Sequence, residues 1–510
     1  MSRNTGENDA AIVERLVGMG ATDLSARTKP GRVSRAYGRE AEVTKVFECL
    51  AARRSFILLG RADVGKTAIL HEVIGRVATR QAPPGLEHIR FIAISTGAVM
   101  VGTKYLGEWQ TRLGELLDNV KQSKNLILYF EDIWALRDAG RASDKTDGFS
   151  TFIRPYLERG ELVVVGETTP ENYHTSSYGE RALADDQSLL KYFTILQIEE
   201  PERDATKTIL AAVSRDLQRE YKVRIEATAL ERALELTRRF LPYQAFPGKA
   251  THLLEEAAQA HKESEAVKSG HLQPAGEMLV TSDAVSATFA RMTGLPEKII
   301  SDTIPLGQEE IRSYFDERVV GQEDAVNAVV DVVTLVKAEL NDPGRPLGVL
   351  FFVGPTGVGK TELAKTLAEY LFGSKDKLIR LDMSEYKTAM SLPDLLAQLT
   401  EKQRRQSFSV LLLDEIEKAS PYIFDLFLQV FDDARLTDAS GRSVDLHNTI
   451  IIMTSNIGTH GSQSRGIGFI DADDRAETRA QEVRKAVEEY FRPEFINRLD
   501  KIVVFQPLGL

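Results

Sequence analysis

One eight-residue pattern occurs twice in this chain and constrains it more than any bulk property. It reads Gly60-Arg-Ala-Asp-Val64-Gly65-Lys66-Thr67 and, later, Gly354-Pro355-Thr356-Gly357-Val358-Gly359-Lys360-Thr361. Its glycines let backbone N–H groups close around phosphate oxygens, its lysine reaches the β- and γ-phosphates, and its hydroxyl holds Mg2+. A single chance match in a chain this long arises roughly two times in a hundred at average residue frequencies. Two matches, each between an apolar strand and a helical stretch, leave chance far behind.

The surroundings repeat as well. Apolar strands at 55–59 and 349–353 precede the two loops, and helical stretches at 68–80 and 362–371 follow them. Next comes a strand ending in acids, 126–130 before Glu131 and Asp132, and 410–413 before Asp414 and Glu415. Further strands are expected at 162–166 and 449–454. Strands alternating with helices predict an α/β fold, two tandem modules with parallel sheets flanked by helices. Between them, 203–290 reads as helical with no strand signal. Apolar residues there recur every three and four positions over 228–240 and 249–261. A loop is expected at 270–276, and Pro296, Pro305 and Gly307 mark a linker. The expected organisation is an N-terminal segment 1–32, a first large domain 33–202, a helical small domain 203–297, a linker 298–310 and a second large domain 311–510.

The chain carries a net charge of −11 with no block of like charges, which argues against a nucleic-acid groove. With Cys49 alone, no disulfide and no cysteine metal site can form, and a buried core thiol is the plain reading. No apolar run approaches the roughly 20 residues that span a bilayer. The first residues lack the apolar core of a signal peptide, so a cytoplasmic protein without membrane partners is expected.

ATP and Mg2+ are the expected ligands. In the second module Asp414 is placed to hold the Mg2+ shell and Glu415 to polarise the attacking water. Asn456, ending the next strand, is suited to position that water, although a lone Asn is also an ordinary turn residue. Arg498 is a candidate arginine finger for a neighbouring subunit; by itself it equally suits a surface salt bridge.

These features resemble the Clp AAA+ unfoldases, the two-ring members related to ClpA, ClpC and ClpB. Gly20-Ala-Thr-Asp-Leu24 and Tyr37-Gly-Arg-Glu40 resemble the entry to their first ring. Arg318-Val319-Val320-Gly-Gln322, Asp382-Met-Ser-Glu385, Leu436-Thr-Asp438 with Gly441-Arg442, and Arg492-Pro-Glu-Phe-Ile-Asn-Arg498 are similar to their second ring. The resemblance implies that Val319 and Val320 border the nucleotide. It implies that Lys104, Tyr105 and Gly107 form a pore loop gripping unfolded polypeptide, where the residues alone would also suit a buried core tyrosine. It further implies that Ile467, Gly468 and Phe469 form a loop that docks a ClpP-like peptidase, and that subunits assemble as a homo-hexamer or a mixed ring with a full-length relative.

The departures from the family are as informative. In the first module the acids are transposed, with Glu131 in the metal-holding place of Asp and Asp132 in the catalytic place of Glu. The loop has Asp63 where relatives have glycine, losing a permissive backbone position. Leu190-Lys191-Tyr192-Phe193 replaces paired arginines before a phenylalanine. Thr67 remains as the metal hydroxyl, and Thr168 with Thr169 fits the water-sensing position. The first module is therefore expected to bind nucleotide weakly or to hydrolyse it poorly. In the second module 390–397 runs through the place of an aromatic pore loop. The sequence stops at Leu510, so the helical small domain closing the second site is expected to be missing. Neither a globular N-terminal domain nor a long coiled-coil insertion is expected. The leading expectation is an ATP-driven protein unfoldase. A regulatory or scaffolding subunit that uses ATP as an assembly switch is the alternative, and a nucleic-acid remodeller is disfavoured by charge.

Overall fold

A computed structural model describes the chain except for residues 1–2, 28–34, 95–107, 134–148, 171–188, 242–243, 269–278, 302–303, 339, 343, 438–442, 459–471 and 508–510. The chain divides into two compact units, Met1–Val223 with Tyr243–Glu255, and Arg224–Pro242 with Glu256–Leu510.

The first unit is built on strands β1 (Thr22–Asp23), β2 (Ser55–Leu59), β3 (Arg90–Ala93), β4 (Leu126–Phe130), β5 (Val164–Thr168) and β6 (Phe193–Gln197). They form one sheet in the order β1-β3-β4-β5-β2-β6. Only β1 is antiparallel to its neighbour. Every residue of β2, β4 and β5 is buried, as expected of parallel strands covered on both faces. Alternation divides their side chains. Phe56, Leu58, Ile127, Tyr129 and Val165 pack with Ile69, Leu70 and Val73 of helix Lys66–Ala78. Ile57, Leu128, Phe130 and Val164 pack instead with Trp109, Leu113 and Leu117 of helix Glu108–Val120.

The second unit contains β7 (Arg224–Ile225), β8 (Leu279–Val280), β9 (Gly348–Val353), β10 (Leu378–Asp382), β11 (Ser409–Asp414), β12 (Arg435–Thr437), β13 (Ser443–Asp445), β14 (Thr449–Ser455) and β15 (Lys501–Val504). Its main sheet is wholly parallel, ordered β10-β11-β14-β9-β15. With β1 set aside, the first sheet has the same order, so the repeat in sequence is a repeat in topology. Helices Ala227–Phe240 and Ser282–Thr293 also belong to this unit. The expectation of no strand within 203–290 is corrected here. β7 and β8 pair in parallel, and two-residue strands are too short to leave a periodic signal.

Three boundaries differ from expectation in ways that matter. The loop helices begin at Lys66 and Lys360, because Gly65 (φ 100°) and Gly359 (φ 105°) turn through the left-handed region just before them. The lysine and threonine of each motif are thus the first helical residues, where free N–H groups and the helix dipole favour phosphate. Strand β5 runs on through Glu167 and Thr168.

Asp63 has φ 65°, in the loop position that Gly357 occupies with φ 83°. Aspartate tolerates this region better than most residues, but with strain. Gly248, which opens helix Gly248–Lys268, donates its N–H to the Asp63 carbonyl at 3.0 Å. A Cβ on Gly248 would lie 2.4 Å from that oxygen and 2.6 Å from the Asp63 Cβ. Gly248→Ala should therefore destabilise the first unit by about 2 kcal/mol, and Asp63→Gly should stabilise it by up to about 1 kcal/mol. The double variant should remain destabilised, since the nearest clash is with main-chain oxygen. Denaturant unfolding of the three variants checks this, and full recovery in the double variant would refute it.

Candidate functional site

Sheet register sets the geometry. Leu58 and Leu59 pair with Glu167 and Thr168, while Phe352 and Val353 pair with Thr454 and Ser455. Thr454 is thus the counterpart of Glu167, and Ser455 of Thr168. One residue further on, Thr169 rather than Thr168 stands level with Asn456.

In the second module Lys360 is drawn in toward its own loop. Its Nζ donates to the Gly354 carbonyl, to the Pro355 carbonyl at 3.2 Å, to the Ser455 carbonyl at 3.3 Å and to Asn456 Oδ1 at 2.9 Å. Burial pushes the Lys360 ammonium below its usual range, and Asp414, Glu417 and Glu415 oppose that shift. A phosphate that takes over this ammonium replaces neutral carbonyl partners with charged oxygens. Asp414 ends β11; its Oδ1 accepts from the Thr454 hydroxyl at 2.5 Å and its Oδ2 from Arg380. The same Thr454 oxygen accepts the Glu415 N–H at 3.1 Å. Glu415 has φ 54°, a strained backbone that turns the chain sharply after the strand, and its carboxylate pairs with Lys418 at 2.5 Å. One threonine therefore holds both acids. Asn456 also receives support, its N–H donating to Glu417 Oε1 at 3.1 Å.

Around this centre Gly354 and Val358 are buried, whereas Thr356 and Gly357 are exposed and Pro355, Gly359 and Thr361 are half-buried. Val319 is buried near Gly359, but Val320 is 75% exposed. The buried Gln322 donates to the Val358 carbonyl at 3.2 Å and ties the loop to the Gln506 backbone. Arg498 stands apart from the phosphate loop. Its Nε donates to both oxygens of Asp432, at 3.0 and 3.1 Å, and its guanidinium to the Glu494 carbonyl.

The first module repeats the frame with different chemistry. Lys66 donates to the carbonyls of Gly60 and Arg61, each at 2.9 Å. Arg39 plays the part of Gln322, donating to the Val64 carbonyl at 3.0 Å and the Glu199 carbonyl at 2.8 Å. Asp63, Gly65, Lys66 and Thr67 floor a cavity of about 450 Å³ whose walls include Ile209, Leu217 and Pro247. A polar floor with apolar walls suits a nucleotide. Glu131 and Asp132 are both exposed beyond the end of β4. The Thr168 hydroxyl is buried without a hydrogen-bond partner among the described residues.

The residue missed in the sequence is Glu167. Only 4% exposed, it accepts from the Thr67 hydroxyl at 2.8 Å and from the Tyr129 hydroxyl at 2.9 Å. Burial pushes its carboxyl up, and the two hydroxyls hold it back. Burial beside this carboxylate also pushes the Tyr129 phenol up. The available signal was strand alternation, because Val163, Val165 and Glu167 share one face. Lys104, Tyr105 and Gly107, and likewise Ile467, Gly468 and Phe469, lie outside the described residues.

Among the described residues no group of three or more His, Cys, Asp or Glu forms a metal cage. No helix among the described residues is long and apolar enough to cross a membrane.

Comparison with known proteins agrees with this geometry. Residues 56–172 match the ATPase family associated with various cellular activities (AAA), 202–291 an AAA lid domain, and 345–502 an AAA domain (Cdc48 subfamily). The ATP-dependent Clp protease ATP-binding subunit ClpC of Staphylococcus aureus (strain USA300) is 34% identical, over 96% of this chain and 67% of that protein. ClpC of Staphylococcus epidermidis is 33% identical, over 99% and 69%. Among solved structures, closed-state Hsp104 with ATPγS and FITC casein superposes with a TM-score of 0.71 at 30% identity, covering 95% of this chain and 82% of that one. The S. cerevisiae Hsp104–ADP complex gives 0.67 at 31%, with the same coverage. The chain therefore belongs to the Clp-type, two-module AAA+ ATPases and is an ATP hydrolase.

Proposed function

We propose that this chain is an ATP-driven remodeller of polypeptides in which the second module performs most of the hydrolysis. The observation that carries this reading is a pair of hydrogen-bonded groups, one joining Lys360 to Asn456 and the other joining Asp414 and the Glu415 backbone through Thr454. It sets a phosphate-binding cation and two carboxylates at the C-terminal ends of adjacent parallel strands, where ligands bind in open α/β sheets. Glu415 acts as the base that polarises water, Asn456 orients that water, and Lys360 balances charge on the phosphates. Thr361 and Asp414 would hold Mg2+, which supplies charge neutralisation on the phosphate oxygens. In the first module the acids Glu131 and Asp132 are exposed beyond the end of β4, and Asp63 adds a negative charge to the cavity floor. We read that module as a nucleotide-binding site with slow turnover.

Hexameric assembly and polypeptide as substrate follow from the relatives, one of which was solved with casein. In that assembly Arg498 exchanges Asp432 for the phosphates of a neighbouring subunit, and Tyr105 with Lys104 and Gly107 grips the moving chain. Ile467, Gly468 and Phe469 dock a ClpP-like peptidase, in line with the naming of the ClpC relatives as protease subunits. A second reading, ATP binding as an assembly switch, draws on the strained Asp63 and the altered first site.

ATP turnover by the full chain should fall at least 100-fold in Glu415→Gln and stay within about threefold in Asp132→Ala. Native mass of the nucleotide-bound particle should correspond to six subunits. Loss of turnover in Asp132→Ala with retention in Glu415→Gln would reverse the assignment of modules, and binding without turnover would favour the switch. Thr454→Val should lower turnover about 10- to 100-fold, because both acids lose their common anchor. Unchanged turnover in this variant would remove Thr454 from the site.

A further inference from the structure

The buried Glu167 has no place in the activity assigned above, and its surroundings give it one. It lies on β5 facing helix Lys66–Ala78, level with Leu58 of the loop strand. Thr67, which borders the cavity, turns its hydroxyl proton away from that cavity and gives it to Glu167 Oε2 at 2.8 Å. The other carboxylate oxygen is occupied by the Tyr129 hydroxyl at 2.9 Å. Glu131, the acid that strand position would assign to the metal, is exposed and accepts no hydrogen bond among the described residues.

A hydroxyl binds a divalent cation through its oxygen lone pairs, so its proton must be taken up elsewhere. A carboxylate that accepts this proton fixes the orientation of the hydroxyl and raises its basicity as a ligand. In the second module the hydroxyl lies on the strand, at Thr454, and the acid ends the neighbouring strand, at Asp414. In the first module the strand itself supplies the acid at the position of Thr454. The arrangement fits a cation held by one hydroxyl, phosphates and water.

We propose that Glu167, rather than Glu131, is the carboxylate through which the first module holds the divalent cation of a bound nucleotide, acting as a positioning residue behind Thr67. This rests on the reading of the first module as a nucleotide site, and the test separates the two. The full chain carrying Lys360→Ala, which silences the second loop, is titrated with a fluorescent ATP analogue in Mg2+ and in EDTA. Bound Mn2+ is counted in parallel by electron paramagnetic resonance. Mg2+ should tighten nucleotide binding in this background. Adding Glu167→Gln, which keeps shape but removes charge, should weaken metal affinity about 10- to 100-fold and leave binding in EDTA within about twofold. Adding Glu131→Ala should leave the Mg2+ effect in place. Loss of the effect in Glu131→Ala with retention in Glu167→Gln overturns the proposal, as does nucleotide binding that ignores metal altogether. Absence of any nucleotide binding in the Lys360→Ala chain overturns the reading beneath it as well. Should Glu167→Gln fail to fold, Glu131→Ala decides alone, retention supporting the proposal and loss overturning it.

Discussion

Parallel pairing of the loop strand with the strand beside it, β2 with β5 and β9 with β14, is the constraint on which the rest of each module depends. A phosphate loop alone is a flexible anion trap. What makes it a site is the fixed level at which a neighbouring strand presents its last side chains, and register fixes that level to the residue. Because both strands are buried along their length, slippage by one position would turn apolar side chains out of one packed face and into the other. The apolar clusters therefore hold the chemistry in place although few of their members touch it.

On that shared frame the two modules diverge at a few points that are close in space. A glycine becomes Asp63, a threonine becomes Glu167, and the anchor of the loop valine changes from Gln322 to Arg39. These differences are coupled through the loop. Arg39 holds the Val64 carbonyl one residue beyond Asp63, and Gly248 leaves room for Asp63 itself. The helix and loop following the first large domain thus meet the phosphate loop directly, with Ala245 and Gly248 both donating to its carbonyls.

Much of this was legible in the sequence because the chemistry is local. The loop glycines, lysines and threonines follow one another, and Asp414 and Glu415 end an unmistakable apolar strand. The rest was not legible, for identifiable physical reasons. An acid following Gly166 reads as a strand exit, so Glu167 was passed over although alternation puts it beside Val165. Thr454 looked like part of a strand end, since its hold on two acids depends on a partner strand 39 and 40 residues away. Arg498 and Asp432 are 66 residues apart, and no periodicity links them. Single-residue equivalence between Thr169 and Asn456 likewise required the register.

The energetics of Glu167 bear on why such a group is there at all. Removing a carboxylate from water carries a penalty of several kcal/mol, and hydrogen bonds to a charged group return about 1.5–3 kcal/mol each. With Thr67 and Tyr129 as donors the two sides nearly cancel, so the carboxylate adds little to the stability of the sheet. An apolar side chain of similar volume would serve stability at least as well. Tyr129 points the same way: its hydroxyl lies within an otherwise apolar face and finds its acceptor in Glu167. A pair of polar groups that the core does not need, one of them touching the loop threonine, is best accounted for by what approaches that threonine from the other side.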